Sequence, residues 1–239
     1  MRLSAININK TFAGNPPLCV INNLSLTVEQ GEFIAVLGQS GCGKSTLLRV
    51  LGGFATLNSG AVTLGDKEIT SPSKEVFMVF QDVNQLFPWK TLRQNIAYAI
   101  KKTALPSEKR QAVALAEQCI AEMGLADFSG SYPHQLSGGM KQRAAMARAI
   151  ALHPQVLLMD EPFCSLDYLT RRNAQETLLA LWRKENVSVV FVTHDIDEAL
   201  YLAQKIAVYD RNTHRIEHIF LNDGTQPQLK AILERLLRE

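Results

Sequence analysis

The sequence predicts an α/β core of buried parallel strands, fronted by an antiparallel β-flap and interrupted by a helical insertion. Three observations carry this expectation. The apolar runs FIAVL (33–37), VFMVF (76–80), VLLM (156–159) and VSVVFVT (187–193) have the unbroken pattern of strands covered on both faces. Three of them are followed by helix-like stretches, the strand–helix alternation of a parallel sheet. Residues from about 88 to 152 instead read as mostly helical, and residues 1–30 alternate apolar and polar in places.

Taken in order, Leu24, Leu26 and Val28 fall on one side of a half-buried antiparallel strand. After FIAVL, the glycines from Gly38 to Gly43 form a turn, and TLLRVLGG reads as a helix stopped by Gly52 and Gly53. AVTL and KEIT around Gly65-Asp66 predict a hairpin. Thr91 followed by Gln94 is a capping box opening TLRQNIAYAI. Ser107 is placed to cap a second helix, in which Ala112, Ala116, Cys119, Ile120 and Met123 share a face that ends at Gly124. Beyond Pro154 come VLLM, a helix through LLALW (178–182), VSVVFVT, a helix in DIDEALYLA (195–203), and a closing strand pair in IAVY and RIEHIF. Leu229, Ile232, Leu233 and Leu236 give the tail one apolar face, either packed on the body or offered to a partner.

Composition narrows the function classes. Lys plus Arg at 25 against Asp plus Glu at 23 leaves a net charge of +2 with no dense basic stripe, so nucleic acid is not an expected partner. Cys19, Cys42, Cys119 and Cys164 are scattered without a CxxC pair, which suits a reducing cytoplasm rather than a disulfide framework or zinc site. No apolar run approaches the roughly 18 residues needed to span a bilayer. Work at a membrane would then require a partner that holds the chain there.

GQSGCGKST (38–46) fits G-x-x-x-x-G-K-[ST] between a predicted strand and a helix, the context a phosphate loop requires. Its glycines let successive backbone N–H groups face phosphate, aided by the positive end of the helix. Lys44 is placed to reach the β- and γ-phosphates, and the Ser45 hydroxyl to bind Mg²⁺. Cys42 lies inside this loop, as a tolerated small side chain or a redox switch. VLLMDEP (156–162) delivers Asp160 and Glu161 at the carboxyl end of a buried strand, where ligands bind in such sheets. Asp160 suits Mg²⁺ through water, and Glu161 suits activation of an attacking water. Gln81 and His194 each stand just past a buried strand, as satisfied loop residues or as groups converging on the same sheet edge. LSGGMKQR (136–143) is a second glycine-rich turn before a helix, with no acid, base or nucleophile of its own.

In this order the motifs resemble the ATPase subunit of an ABC transporter over nearly the full length of the chain. Gly38–Thr46 matches Walker A, Gln81 the Q-loop, LSGGM from Leu136 the signature, and Asp160 with Glu161 the Walker B end. Ser165–Asp167 matches the D-loop and His194 the switch histidine. The resemblance implies one nucleotide-binding domain over residues 1–239, with a P-loop NTPase (RecA-like) core, an N-terminal antiparallel β subdomain and an inserted α-helical subdomain. It implies an ATPase using ATP and Mg²⁺. ATP would be held by Gly38, Gln39, Ser40, Gly41, Cys42, Gly43, Lys44, Ser45 and Thr46, with Phe12 stacking on adenine, and Mg²⁺ by Ser45, Gln81 and, through water, Asp160. Catalysis would fall to Glu161, His194, Gln81 and Lys44. Ser137, Gly138, Gly139 and Met140 would grip the γ-phosphate of ATP held by a second copy in a head-to-tail homodimer, with Asp167 in the D-loop. As a lone residue, Phe12 reads equally as core. Met140 departs from the family's usual glutamine, and Cys164-Ser165 from its small residues before Leu-Asp.

QDVNQLFPWKTLRQNIAYAI (81–100), EPFCSLDYLTR and THDIDEAL resemble the importers of nitrate, sulfonates and taurine. That implies integral membrane permease subunits, an extracytoplasmic solute-binding protein and a place on the cytoplasmic face of the cell membrane, attached through the permease. Leu86, Phe87 and Trp89 are too apolar for a free loop and are expected to line a groove for a permease helix, or else to pack within the helical lobe. Importers of pyrimidine-type vitamin precursors and exporters share enough of the pattern to stay open. A non-transport ABC ATPase fits less well, because only about a hundred residues separate Walker A from the signature, with no room for a long coiled coil.

Overall fold

The computed structural model describes residues 1–103 and 106–238, with no side-chain description for residues 106–109. The chain divides into two compact units, one of residues 1–78, 155–161 and 186–239, the other of residues 79–154 and 162–185.

The first unit holds two sheets. β1 (Leu3–Phe12), β2 (Leu18–Val28), β4 (Ser59–Leu64) and β5 (Lys67–Glu68) form an antiparallel sheet in the order β2-β1-β4-β5. Alternation is visible in β2, where Leu24, Leu26 and Val28 are buried while Ser25 and Thr27 are exposed. The second sheet runs β10-β9-β3-β8-β7-β6. Its centre is β3 (Phe33–Leu37), β8 (Ser188–Thr193) and β7 (Val156–Asp160), parallel neighbours in which every residue is buried. Helices and strands that cover both faces explain why these runs are apolar without alternation. β6 (Val76–Val79) lies at one edge, while β9 (Lys205–Asp210) and β10 (Arg215–Leu221) pair antiparallel at the other.

Helix α1 (Lys44–Leu51) follows β3 and ends at Gly52, as the glycine pair predicts. Helix α6 (Ile196–Leu202) follows β8, capped by the Asp195 carboxylate, which accepts from the N–H groups of Asp197 and Glu198. Helix α7 (Leu229–Leu236) buries Leu229 and Leu233 against its own unit, with Ile232 and Leu236 half-buried, so the apolar face of the tail is packed on the body.

The second unit is helical: α2 (Leu92–Thr103), α3 (Pro106–Glu122), α4 (Gly138–Ile150) and α5 (Tyr168–Glu185), with two short 3-10 turns at 126–128 and 133–135. The capping box opens α2 as expected: the Gln94 amide oxygen accepts from Thr91 N–H at 3.0 Å, and Thr91 Oγ1 from Gln94 N–H at 3.3 Å. Ala112, Ala116, Ile120 and Met123 of α3 are buried, with Cys119 at the margin, and Gly124 takes the left-handed conformation (φ 64°) that ends the helix. The proposed cap of Ser107 depends on a side chain outside the described residues.

Candidate functional site

Strand order builds the site. With β3, β8 and β7 side by side and parallel, the chain leaves all three at one edge, Leu37 level with Thr193, and Val192 level with Asp160. The loop 38–43, His194 and Glu161 therefore emerge together at the carboxyl ends, where an open α/β sheet binds its ligands.

The loop after β3 is shaped by its glycines. Gly43 has φ 122°, and a Cβ there would sit 2.7 Å from Val20 Cγ1 and 2.9 Å from the Val20 carbonyl oxygen. At Gly38 a Cβ would meet the carbonyl of Tyr209 at 2.8 Å. Tyr209 supports the loop from behind: its buried hydroxyl donates to the Val20 carbonyl, and burial pushes its phenol well above the usual range. Gly41 (φ 76°) opens the other way, with nothing within 4 Å of where its Cβ would stand.

Lys44 is buried, and its ammonium donates to the carbonyls of Gly38 and Gln39, both at 2.8 Å, with Cys42 Sγ at 3.9 Å. Two of three donors thus hold the loop's own entry, and the third reaches the Cys42 sulfur within it. Ser45 Oγ donates to Asp160 Oδ1 at 2.9 Å. Burial raises the Asp160 carboxyl, partly offset by that hydrogen bond. A hydroxyl paired with a buried carboxylate is a hard oxygen set of the kind Mg²⁺ takes, and Gly38 and Gly43 let the loop lie closer to Tyr209 and Val20 than any side chain would allow. The residues present fit Mg-ATP.

Glu161 is a non-glycine residue at φ 43°, a conformation that costs on the order of 1–3 kcal/mol and recurs at functional sites. It is held there by its N–H, which donates to the Val192 carbonyl at 3.1 Å, and by its carboxylate, 3.2 Å from His194 Nδ1. Glu161 is mostly buried and His194 half exposed. The turn carrying His194 is fixed by a network the sequence reading missed. Thr193 Oγ1 donates to the buried Glu198 at 2.8 Å and accepts from Asp195 N–H at 3.0 Å. The D-x-x-E spacing of Asp195 and Glu198 signals the helix start but not this diversion of Glu198 to Thr193.

The first unit thus brings Lys44, Ser45, Asp160, Glu161 and His194 together. Phe12, also in this unit, is exposed at the end of β1, with Lys10 Nζ 5.0 Å from its ring centre. The remaining candidates lie in the second unit. Gln81 is exposed, two residues past β6. Ser137 caps α4, its hydroxyl accepting from Met140 N–H at 3.2 Å. Ser137 and Gly138 are exposed, and Gly139 and Met140 half-buried. Asp167 is exposed, and hydrogen bonds from Thr170 lower its carboxyl.

Phe87, Trp89 and Tyr98 form an aromatic cluster, Phe87 lying 5.5 Å from each of the other two rings. Trp89 is 69% exposed and Phe87 half-buried, but Leu86 is buried. The expectation for Leu86 is corrected: its side chain is core, because the loop turns it inward. That loop is fastened by Asn95, wholly buried in α2. Asn95 accepts from Phe87 N–H at 2.7 Å and donates to the carbonyls of Phe87, Lys90 and Thr91 at 3.0–3.2 Å. An asparagine inside a predicted helix gives no sequence signal of this role.

Comparison with known proteins bears directly on this arrangement. The family model described as ABC transporter matches residues 21–164, from β2 through Walker A and the signature to Walker B. The chain belongs to the ABC transporter family. It is an ABC ATPase, the ATP-binding subunit of a transporter. It is 43% identical over 215 residues to the bicarbonate transport ATP-binding protein CmpD of Synechocystis, covering 89% of this chain and 75% of that one. Against the nitrate import ATP-binding protein NrtD of the same organism it is 41% identical over 209 residues, covering 87% and 77%. A putative ATP-binding protein of Brucella abortus is 39% identical over 231 residues, covering 97% and 86%. Among solved structures, the ATP-binding cassette MJ0796, dimeric in a post-hydrolysis state with ADP and Pi, superposes with a TM-score of 0.84 at 29% identity, covering 93% of this chain and 99% of that one. Among the described residues of this ATPase, no helix is long and apolar enough to cross a membrane.

Proposed function

We propose that this ATPase binds and hydrolyses Mg-ATP at a site completed by a second copy of itself, and so powers import of a small oxyanion. It does so through a separate membrane permease supplied by an extracytoplasmic solute-binding protein, and works on the cytoplasmic face attached to that permease. The observation that carries the catalytic part is the contact between Glu161 and His194, 3.2 Å apart, beside the Ser45–Asp160 pair.

The backbone N–H groups of residues 38–46 cradle the phosphates, Lys44 turns the donor now on the Cys42 sulfur toward them, and Phe12 stacks on adenine. Ser45 and Gln81, with Asp160 through water, are the residues that would hold Mg²⁺, and the ion would supply charge neutralisation for the phosphates when bound. Glu161 accepts the proton of the attacking water, and His194 holds the Glu161 carboxylate in position while facing the γ-phosphate. Ser137, Gly138, Gly139 and the backbone of Met140, at the positive end of α4, meet the γ-phosphate held by the partner copy, with Asp167 beside them. In the second unit, Phe87 and Trp89 offer the apolar surface on which a permease helix docks.

The oxyanion is supported by the Leu86–Trp89 stretch and by relatives whose names specify nitrate and bicarbonate. Ligand binding by the cognate solute-binding protein distinguishes this class from a pyrimidine-type precursor, and co-purification with such a protein distinguishes import from export. Glu161→Gln tests the catalytic assignment. It should preserve Mg-ATP binding while slowing hydrolysis by roughly 10²-fold or more. Near-normal turnover would remove Glu161 from its role.

A further inference from the structure

Gln39 does two things in the phosphate loop. Its backbone carbonyl is one of the two that seat the Lys44 ammonium, at 2.8 Å. Its side chain turns away from the loop and donates, through Nε2, to the carbonyl of Leu237 at 2.8 Å. Leu237 closes α7, and its carbonyl is among the last four of the helix, which have no partner within it. The bond spans 198 positions of sequence, so nothing local to the loop dictates it.

α7 is a firm anchor. Leu229 and Leu233 are buried, and Lys230 pairs at 2.5 Å with Asp197 of α6, the helix that starts two residues after His194. Next to the Gln39–Leu237 bond the loop, the turn after β9 and the end of α7 border a cavity of about 350 Å³, lined by Gln39, Tyr209, Asp210, Arg211, Leu236 and Leu237. On that side Gln39 is held by its hydrogen bond rather than by close packing.

We propose that the C-terminal helix sets the phosphate loop through Gln39: the bond to Leu237 fixes the carbonyl that seats Lys44, and so presents the ammonium to phosphate. Gln39 is in this sense a positioning residue, acting through Lys44. The inference rests on the reading of residues 38–46 as the ATP cradle.

The test is a double-mutant cycle on the full chain, combining Gln39→Met with a stop after Arg235, which removes the Leu237 carbonyl but keeps Leu229 and Leu233. Equilibrium binding of ATP and steady-state hydrolysis are measured for each, with Lys44→Ala as control. Each single change should weaken ATP binding about three- to tenfold, the effect of one lost hydrogen bond, and should act on KM rather than kcat. The double variant should be no worse than either single one, because both remove the same bond. Additive effects, or unchanged ATP affinity in either single variant, overturn the inference. If Gln39→Met does not fold, the shortened chain decides the matter by its affinity alone. Loss of binding in Lys44→Ala with no effect of Gln39→Met leaves the cradle standing and removes only the tie. Intact binding in Lys44→Ala removes the role of the Lys44 ammonium in holding ATP, and the inference with it.

Discussion

Gly138→Ala separates what the signature turn does for its own chain from what it does for another. Nothing in this chain requires a glycine there: it has no positive φ, and an added Cβ would meet no atom within 4 Å. It is the first residue of α4, where alanine is the better helix former. The gain in a helix interior is about 0.5–1 kcal/mol, and about 0.5 kcal/mol is reasonable at a first position. For a chain of 239 residues that raises Tm by roughly 1–2 °C. The trans reading demands the opposite effect on function. A methyl on this exposed face would hold a γ-phosphate oxygen beyond the roughly 3 Å reach of the backbone N–H groups, and each lost charged hydrogen bond costs about 1.5–3 kcal/mol. ATP-driven dimerisation should therefore weaken by tenfold or more. The assay pairs thermal unfolding without nucleotide with size-exclusion chromatography of the Glu161→Gln background plus ATP. Gly139→Ala is the contrast, since its Cβ would fall 2.6 Å from Leu166 Cδ2 and should lower Tm through overpacking. A Gly138→Ala protein that dimerises and hydrolyses ATP like the parent would refute the reasoning. A clear loss of stability would refute the claim that the constraint lies outside the chain.

Two further outcomes follow. Polar replacement of Phe87 and Trp89 should weaken permease association in a pull-down while the isolated cassette still binds ATP, since Trp89 is exposed and Asn95, not the rings, fastens the loop. Undiminished complex formation would place the docking surface elsewhere. Burial holds the Cys42 thiol above its usual range, against the opposing pull of Lys44, and Cys119 is pushed up to about 11. The neutral thiol therefore persists to higher pH, so Cys42 should be alkylated at least tenfold more slowly than exposed Cys164 at neutral pH, with the gap narrowing as pH rises. Equal rates would show that the loop opens far more freely than its packing implies.

Much of this was legible in sequence because the signals were local. Fully buried parallel strands leave unbroken apolar runs, so β3, β7 and β8 were placed nearly to the residue, and with them the points where Lys44, Glu161 and His194 emerge. Thr91 with Gln94 marked a helix start by a reciprocal bond three residues apart. What escaped depended on distant partners or on direction. Gln39 reads as part of the phosphate loop, but its tie to Leu237 does not, because that partner lies 198 positions away. Asn95 reads as an ordinary helix residue, although it fastens the Phe87–Trp89 loop. Leu86 was grouped with its aromatic neighbours, since sequence spacing does not say which side of an irregular loop faces inward. The strained backbone of Glu161 could not be read at all, because it arises from how β7 ends beside β8.

The central claim is that each ATP is held by Walker A of one chain and the signature turn of the other. The most direct test is a mixed dimer of a Lys44→Ala chain with a Ser137→Arg chain, both also carrying Glu161→Gln so that bound ATP is not consumed. If the signature acts on its partner's nucleotide, one site carries both lesions and the other none. The account predicts about one trapped ATP per mixed dimer and almost none in either single-variant homodimer, because contacts from both sides close on the γ-phosphate. Mixed dimers that trap no more ATP than the homodimers would contradict it, leaving LSGGMKQR as a glycine turn before a helix.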